Sequence, residues 1–174
     1  TLALTSGWNM IGPGQSVQVA SLAPLPPVSV SSQYFGYSGS TYVIAGTLLP
    51  GHGYWVKTRN QCKLVFPSGT VALERSGATE VVGKLGNLTV GDGEGHEQEL
   101  LLVASSESVN PELYELPPPA PDERFEASFA ARRILAVFGG NSSKKVEFPI
   151  FVKSGSQEIF FSLDVENEEN FSYI

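Results

Sequence analysis

Cysteine, histidine and long apolar runs are scarce in this sequence, and each scarcity excludes a class of protein. The single cysteine, Cys62, excludes an internal disulfide, a cysteine zinc site and an iron–sulfur cluster. Two histidines, His52 and His96, leave little material for histidine-based metal or acid–base chemistry. The longest apolar stretches have five to eight residues, far short of the roughly 20 that a membrane-spanning helix needs. We therefore expect no membrane span.

Acidic residues are missing from the first part of the chain. Residues 1–73 contain three basic residues and no acid, a net charge of +3, whereas residues 74–174 hold all 18 acids and eight bases, a net charge of -10. No cluster of Lys and Arg is dense enough to neutralise phosphates, so nucleic acid is not an expected partner. The step in composition predicts two modules, 1–73 and 74–174, with a boundary near 70–78. The alternative is a single sandwich whose first strands lack acids.

Helical periodicity is nearly absent, and alternation of apolar and polar residues takes its place. In 146–153 the residues at even positions are all apolar, and in 159–165 those at odd positions are. The loop 154–158 between these segments predicts a hairpin. Further strands are expected at 98–104, 123–129 and 133–138. Short strands separated by Gly, Pro and Ser predict an all-β fold, a β-sandwich or jelly-roll-like arrangement.

Sequence motifs of common enzymes are missing. There is no nucleophile elbow, zinc-protease helix motif, phosphate-binding loop or dinucleotide fingerprint. A pair of carboxylates, as glycoside hydrolysis requires, is not a specific signal of that activity here. With 18 acids in the chain, some pair will always have a suitable spacing. A dyad of Cys62 and His52 is conceivable, but Cys62 lies in a strand-like segment. We expect no catalytic activity.

The first module carries a spaced set of aromatic and glycine motifs. Gly7-Trp8-Asn9-Met10-Ile11-Gly12 is followed by Tyr37-Ser38-Gly39-Ser40-Thr41-Tyr42 and then by Pro50-Gly51-His52-Gly53-Tyr54-Trp55-Val56-Lys57. This combination, over about residues 3–70, resembles a small β module that recurs in multidomain secreted and cell-surface proteins of bacteria. The resemblance implies a location and a modular parent protein, and it transfers no catalytic residue.

The aromatic residues of this module allow two interpretations. In the first, Trp8 and one of Tyr54 and Trp55 fill a small core, with Pro50-Gly51 forming a tight turn. In the second, the outward aromatics form a platform for sugar rings, whose apolar faces stack on aromatic side chains, and the acid-free surround suits a neutral polysaccharide. The candidate carbohydrate-binding residues are Tyr34, Tyr37, Tyr42, Tyr54 and Trp55.

The second module contains a proline-rich stretch, Tyr114-Glu115-Leu116-Pro117-Pro118-Pro119-Ala120-Pro121, followed by Phe125 and Phe129. Over about residues 80–165 it resembles surface and secreted proteins of the Bacteroidetes–Chlorobi group, where such a β-sandwich lies near the type IX secretion sorting region. It departs from the usual form at Ala120, where proline is commoner, and at 126–128. Because prolines donate no backbone hydrogen bonds, we expect Pro117–Pro119 to cross from one sheet or edge to the next.

The loop 91–99 is the best candidate for a metal site. Its acids alternate with glycines, and oxygen ligands on a flexible loop suit a structural calcium ion, although the spacing is not that of an EF-hand. The alternative is a solvated β-turn loop. The candidate calcium ligands are Asp92, Glu94 and Glu97.

These observations predict an accessory role. We expect a non-catalytic fragment of a larger secreted or surface-attached bacterial protein that presents or stabilises a neighbouring domain. The alternatives are a carbohydrate-binding module that uses the aromatics, and an adhesin or protein-partner module with an unpaired edge strand near Pro149.

Overall fold

The chain is an all-β protein, as its alternating pattern predicts. The computed structural model describes residues 1–67, 84–104, 109–120, 125–138 and 146–165. Within these residues the secondary structure consists of strands and short 3-10 helices. The predicted module boundary near 70–78 lies outside the described residues. The 3-10 helices are Val19–Ser21, Pro111–Tyr114 and Ala130–Arg132.

Contacts between Cα atoms divide the chain into two compact units. The first contains Thr1–Glu80 together with Leu116–Pro119, and the second contains Val81–Glu115 and Ala120–Ile174. Pro117–Pro119 fall in the predicted second module, 74–174, but these contacts group them with the first unit. The chain therefore leaves the first unit, returns to it for four residues and leaves it again.

Three small antiparallel sheets make up the described part of the first unit. Their orders are β1-β9-β4, β2-β8-β5-β6 and β3-β7. The strands are β1 (Leu2–Leu4), β2 (Gly7–Ile11), β3 (Val17–Gln18), β4 (Ala23–Leu25), β5 (Phe35–Tyr37), β6 (Tyr42–Ile44), β7 (Thr47–Leu48), β8 (Tyr54–Thr58) and β9 (Cys62–Val65).

Turn chemistry places these strands where the motifs predict them. Gly7, at the start of β2, has φ +94°, and Gly51 has φ +81°, a region that glycine enters without steric cost. The Pro50-Gly51 turn closes with a hydrogen bond from the amide of His52 to the carbonyl of Leu49, at 3.4 Å. Gly39, at φ +86°, lies in the loop between β5 and β6. These glycines fix the ends of β8 and of the β5–β6 hairpin.

The core of the first unit lies on one side of the β2-β8-β5-β6 sheet. Ile11 pairs with Tyr54, and Val56 follows two residues later, so the three side chains share a face. All three are buried in one cluster with residues of the neighbouring sheets. The other members of this cluster are Leu4, Val17, Tyr34, Leu48, Cys62 and Leu64.

The described part of the second unit has a four-stranded sheet, ordered β13-β11-β10-β15, and a two-stranded sheet, β12-β14. The β11–β13 pair is parallel and the others are antiparallel. The strands are β10 (Lys84–Gly91), β11 (Glu97–Ala104), β12 (Glu126–Ser128), β13 (Leu135–Phe138), β14 (Phe151–Lys153) and β15 (Phe160–Val165).

The predicted hairpin of 146–153 and 159–165 is wrong. β14 pairs with β12, whereas β15 pairs with β10, so the two segments belong to different sheets. Serine side chains form local hydrogen bonds in the segment between β14 and β15. The amide of Ser156 donates to Ser154 Oγ at 3.0 Å, and the amide of Glu158 donates to Ser156 Oγ at 3.2 Å. These local bonds satisfy two backbone donors within the connecting segment.

A glycine and a phenylalanine interlock between β10 and β15. Gly91 lies directly opposite Phe160, and a Cβ atom added at Gly91 would overlap the Phe160 ring. The φ angle of Gly91 is not positive, so the backbone conformation does not require glycine here. Glycine is required because the Phe160 ring packs against this position. The ring occupies the space that a side chain on β10 would fill.

We predict that Gly91→Ala destabilises the second unit by about 1–3 kcal/mol, because the added methyl must displace the Phe160 ring. In a Phe160→Ala background the same change should cost much less. Urea unfolding followed by far-UV circular dichroism measures both. Gly155→Ala is the matched control, since a Cβ there meets no atom within 4 Å. An equal cost of Gly91→Ala in both backgrounds would show that the ring is not responsible.

Candidate functional site

The loop between β10 and β11 is organised around a buried carboxylate. Asp92 is 2% exposed. Its Oδ1 accepts hydrogen bonds from the backbone amides of Glu94, at 2.9 Å, and His96, at 3.2 Å. Its Oδ2 lies 2.7 Å from His96 Nδ1 and accepts from Ser154 Oγ at 3.4 Å. The carboxylate thus closes a five-residue loop and links it to the segment after β14.

The environment of Asp92 favours its ionised form. Burial raises the pKa of a carboxyl group, but three hydrogen bonds and the adjacent imidazole oppose that effect. The hydrogen bonds come from the His96 side chain and from the amides of Glu94 and His96, and the net result is a pKa of Asp92 below its ordinary value. A charged acceptor strengthens each of these bonds. The loop is therefore held by electrostatics as well as by its glycines.

An aromatic contact holds the loop between β10 and β11 against a buried residue of the same unit. The His96 ring stacks on Phe125, with centroids 6.3 Å apart and an interplanar angle of 12°. Phe125 is fully buried. His96 therefore has two structural contacts, one to the Asp92 carboxylate and one to the core.

The possible metal ligands that the structure brings together differ from the predicted calcium ligands. Asp92, Glu94 and His96 have ligand atoms within 4.8 Å of one another, whereas Glu97 is outside this group. Glu97 begins β11 and pairs with Gly91, so it is an exposed strand residue. An imidazole nitrogen is a ligand for transition metals more than for calcium. Both Asp92 oxygens also accept hydrogen bonds, so this loop is a poor fit for a calcium ion.

Three of the five candidate sugar-contacting residues are buried: Tyr42 is 4% exposed, and Tyr34 and Tyr54 lie in the core. Tyr34 and Tyr54 are each 6% exposed and belong to the buried cluster of the first unit. Burial, with a contribution from Cys62, raises the pKa of Tyr34 to about 12. The hydroxyl of Tyr54 accepts a hydrogen bond from the amide of Leu49 at 2.9 Å, which ties β8 to the turn that precedes it. Neither ring is available to stack on a sugar.

The opposite side of the β2-β8-β5-β6 sheet is rich in aromatic residues. Strand pairing puts Trp55 opposite Phe35, and Tyr37 opposite Tyr42, so these side chains share one face. Met10 pairs with Trp55, which places Trp8, two residues earlier, on the same face. We call this set the aromatic face; it consists of Trp8, Phe35, Tyr37, Tyr42 and Trp55.

Exposure varies along the aromatic face. Phe35 is fully buried and Tyr42 is 4% exposed, whereas Tyr37 is 43% exposed. Trp8 and Trp55 are half-buried and meet edge to face, with centroids 6.5 Å apart and planes at 90°. Lys57 Nζ lies 5.7 Å from the centre of the Trp8 ring, a cation–π distance. The tryptophans are therefore crossed rings and not a flat stacking surface.

Sequence reasoning missed two contributors to these sites. Trp8 was expected in the core, but the pairing of β2 with β8 places it on the aromatic face. Ser154 was expected in a hairpin loop, but its hydroxyl contacts Asp92. The alternation along β2 could have revealed Trp8. No local signal connects Ser154 with a carboxylate 62 residues earlier.

The conceivable cysteine–histidine dyad has no support in the geometry. Cys62 is 4% exposed and pairs with Leu4 in the core. His52 lies exposed in the Pro50-Gly51 turn. A nucleophilic thiol must be accessible to its substrate, and this one is part of the hydrophobic cluster.

We predict that Asp92→Asn lowers the melting temperature of the second unit at pH 7, because the charged acceptor is lost. The folded-state pKa of Asp92 is depressed, so its stabilisation is present above the unfolded value, near 4, and is lost as pH falls through the folded pKa. The difference between wild type and variant should therefore narrow below about pH 4. Thermal unfolding at a series of pH values measures it.

Glu94→Gln is the matched control for Asp92→Asn, since Glu94 is an exposed carboxylate in the same loop. It should leave the melting temperature nearly unchanged at every pH. A wild-type advantage over Asp92→Asn that persisted undiminished at pH 2 would contradict a role for the carboxylate charge.

Comparisons with family models, with curated proteins and with solved structures find no match to this chain. In the part of the chain that the structure describes, no helix is long and apolar enough to cross a membrane. The role of the protein must therefore be inferred from its own residues and their geometry.

Proposed function

We propose that this chain is a non-catalytic accessory module of a secreted or surface-attached bacterial protein, where it presents or stabilises a neighbouring domain. The observation that carries the proposal is the structural use of the motif residues. Gly7 and Gly51 have positive φ angles, and Tyr54 and Val56 are buried in the core. A motif with these roles marks a building unit rather than a site of chemistry.

The residues with reactive side chains support the same proposal. The buried Asp92 carboxylate accepts the hydrogen bonds of its own loop, and Cys62 lies in the core. Arg132 and Glu126 form a two-point ion pair beside β12. Each of these groups stabilises the fold, and such engagement leaves it less able to act on a substrate. The resemblance to secreted and surface modules adds the proposed location.

The test is made on the parent protein in the source bacterium. Antibodies against this chain should label intact cells or the culture medium, and deletion of residues 1–174 should lower the melting temperature or surface display of the neighbouring domain. Any catalytic activity of the parent should survive in that domain when it is assayed alone. Loss of chemistry on deletion of this chain, or a cytoplasmic location, would overturn the proposal.

A carbohydrate-binding role is the second candidate, and the exposure of the aromatic face favours it. Tyr37, Trp8 and Trp55 offer partly exposed rings on one side of a sheet. The described first unit is also free of carboxylates, which suits a neutral polysaccharide. The crossed tryptophans suit a sugar chain that turns between rings better than a flat crystalline surface.

If the second candidate holds, Trp55→Ala should reduce binding to a soluble or insoluble polysaccharide by about tenfold or more, since aromatic contacts of this size are worth about 1–3 kcal/mol. Pull-down and tryptophan fluorescence over a glycan panel measure it. Tyr34→Phe, in the core, is the control and should bind as wild type does. The panel is run with calcium and with chelator. Since both Asp92 oxygens already accept hydrogen bonds, we expect the same melting temperature in both; a rise with calcium would instead support an ion in the loop 91–99. Absence of binding to every glycan would reject this candidate.

A further inference from the structure

The segment Leu116–Pro119 belongs to the first unit, although the residues on both sides of it belong to the second. Its contact with the aromatic face is specific. The hydroxyl of Tyr42 donates a hydrogen bond to the carbonyl oxygen of Pro118 at 2.9 Å, across 76 residues of sequence. Tyr42 is 4% exposed and Pro118 is exposed, so the bond lies at the edge of the buried region. A buried phenol needs an acceptor, and the proline segment supplies it.

The chemistry of this segment suits recognition by aromatic residues. Consecutive prolines have φ fixed near −65° and donate no backbone hydrogen bonds, so their carbonyls can only accept them. The segment bends at Pro118, the residue whose carbonyl accepts from Tyr42. Glu115, just before the segment, already has φ −67° and ψ 132°, close to the polyproline II conformation. Such a segment loses little entropy on binding, and proteins bind it in grooves lined by aromatic rings with a donor aimed at a carbonyl.

The residues around Tyr42 provide these features. Tyr37 meets Tyr42 edge to face, with ring centroids 5.2 Å apart. Phe35 lies two residues before Tyr37 on the same face and is fully buried. Along the segment, Pro117 is fully buried whereas Pro118 is exposed and turns its carbonyl to the Tyr42 hydroxyl. One proline is therefore buried, and the next is held by its carbonyl oxygen.

We propose that the Tyr37–Tyr42 end of the aromatic face is a recognition site for proline-rich segments, occupied in this chain by its own Leu116–Pro119. The same site accepts a Leu-Pro-Pro-Pro segment from another chain when its own segment is released. This inference stands apart from the accessory role and from the glycan alternative, because it depends on Tyr42 and the proline carbonyl.

The test uses the full chain with Pro118→Gly and Pro119→Gly, which loosen the segment at its exposed prolines and keep the buried Leu116 and Pro117. A fluorescein-labelled peptide with the sequence of residues 113–121 is titrated and followed by anisotropy. The variant should bind the peptide about tenfold more tightly than wild type does, because in wild type a tethered ligand at an effective concentration of about millimolar competes. Equal affinity for both chains, or no binding to the folded variant, would overturn the proposal.

Tyrosine-to-phenylalanine changes in the loosened variant identify the donor. Tyr42→Phe should weaken peptide binding about fivefold, the value of one neutral hydrogen bond. Tyr37→Phe is the matched control on the same face, since the Tyr37 hydroxyl donates to the carbonyl of Ser40 at 3.2 Å, and it should leave binding unchanged. Equal effects of the two changes would contradict a specific role for Tyr42.

Hydrogen exchange provides an independent measurement should the glycine variant fail to fold. In the full chain with intact prolines, Tyr42→Phe should accelerate exchange of the Leu116 and Ala120 amides, which flank the prolines, by about fivefold. Tyr37→Phe should not. Unchanged exchange in Tyr42→Phe would show that the hydroxyl does not hold the segment, and the proposal would fail.

Discussion

The alternation of side chains along β8 is the constraint on which the first unit depends. Tyr54 and Val56 point to the core, and Trp55 and Lys57 therefore point to the opposite side of the sheet. Because β8 is the central partner of β2 and β5, its register determines which residues of those strands accompany each set. A one-residue shift would exchange the core and the aromatic face, so burial of the core also determines which side chains make up the aromatic face. The turn at Pro50-Gly51 sets this register at the beginning of the strand.

In the second unit, the buried carboxylate of Asp92 is the group on which the local structure depends. Asp92 is removed from water but remains ionised, because neighbouring amides, an imidazole and a hydroxyl replace its hydration. Burying an unpaired carboxylate would be costly, so these donors and the acid depend on one another. In this arrangement the carboxylate that the sequence suggests as a cation ligand accepts hydrogen bonds from its own loop.

Local signals in the sequence were sufficient for the elements and insufficient for their partners. The β8 alternation, the Gly51 turn and the Tyr37–Tyr42 loop follow from residue types within a few positions, and the structure has each of them. The partners of β14 and β15 depend on packing with strands far away in the sequence, so adjacency suggested a hairpin that does not form. Glu97 was grouped with Asp92 by proximity alone. Its pairing with Gly91 makes it a strand residue, and only the hairpin register reveals this.

The two ligand classes considered for the aromatic face demand different things from it. A neutral glycan needs exposed rings, which Trp55 and Tyr37 offer, whereas a proline segment needs a shielded donor, which only a nearly buried tyrosine such as Tyr42 provides. The absence of carboxylates from the first 73 residues serves both, since a nearby anion would repel the proline carbonyl as it would compete for sugar hydroxyls. The hydrogen bond from the nearly buried Tyr42 to the carbonyl of Pro118 favours proline recognition at that end. The half-exposed tryptophans at the other end form a second surface with a different chemistry. The same sheet can therefore bind the segment Leu116–Pro119 and still expose aromatic rings to solvent.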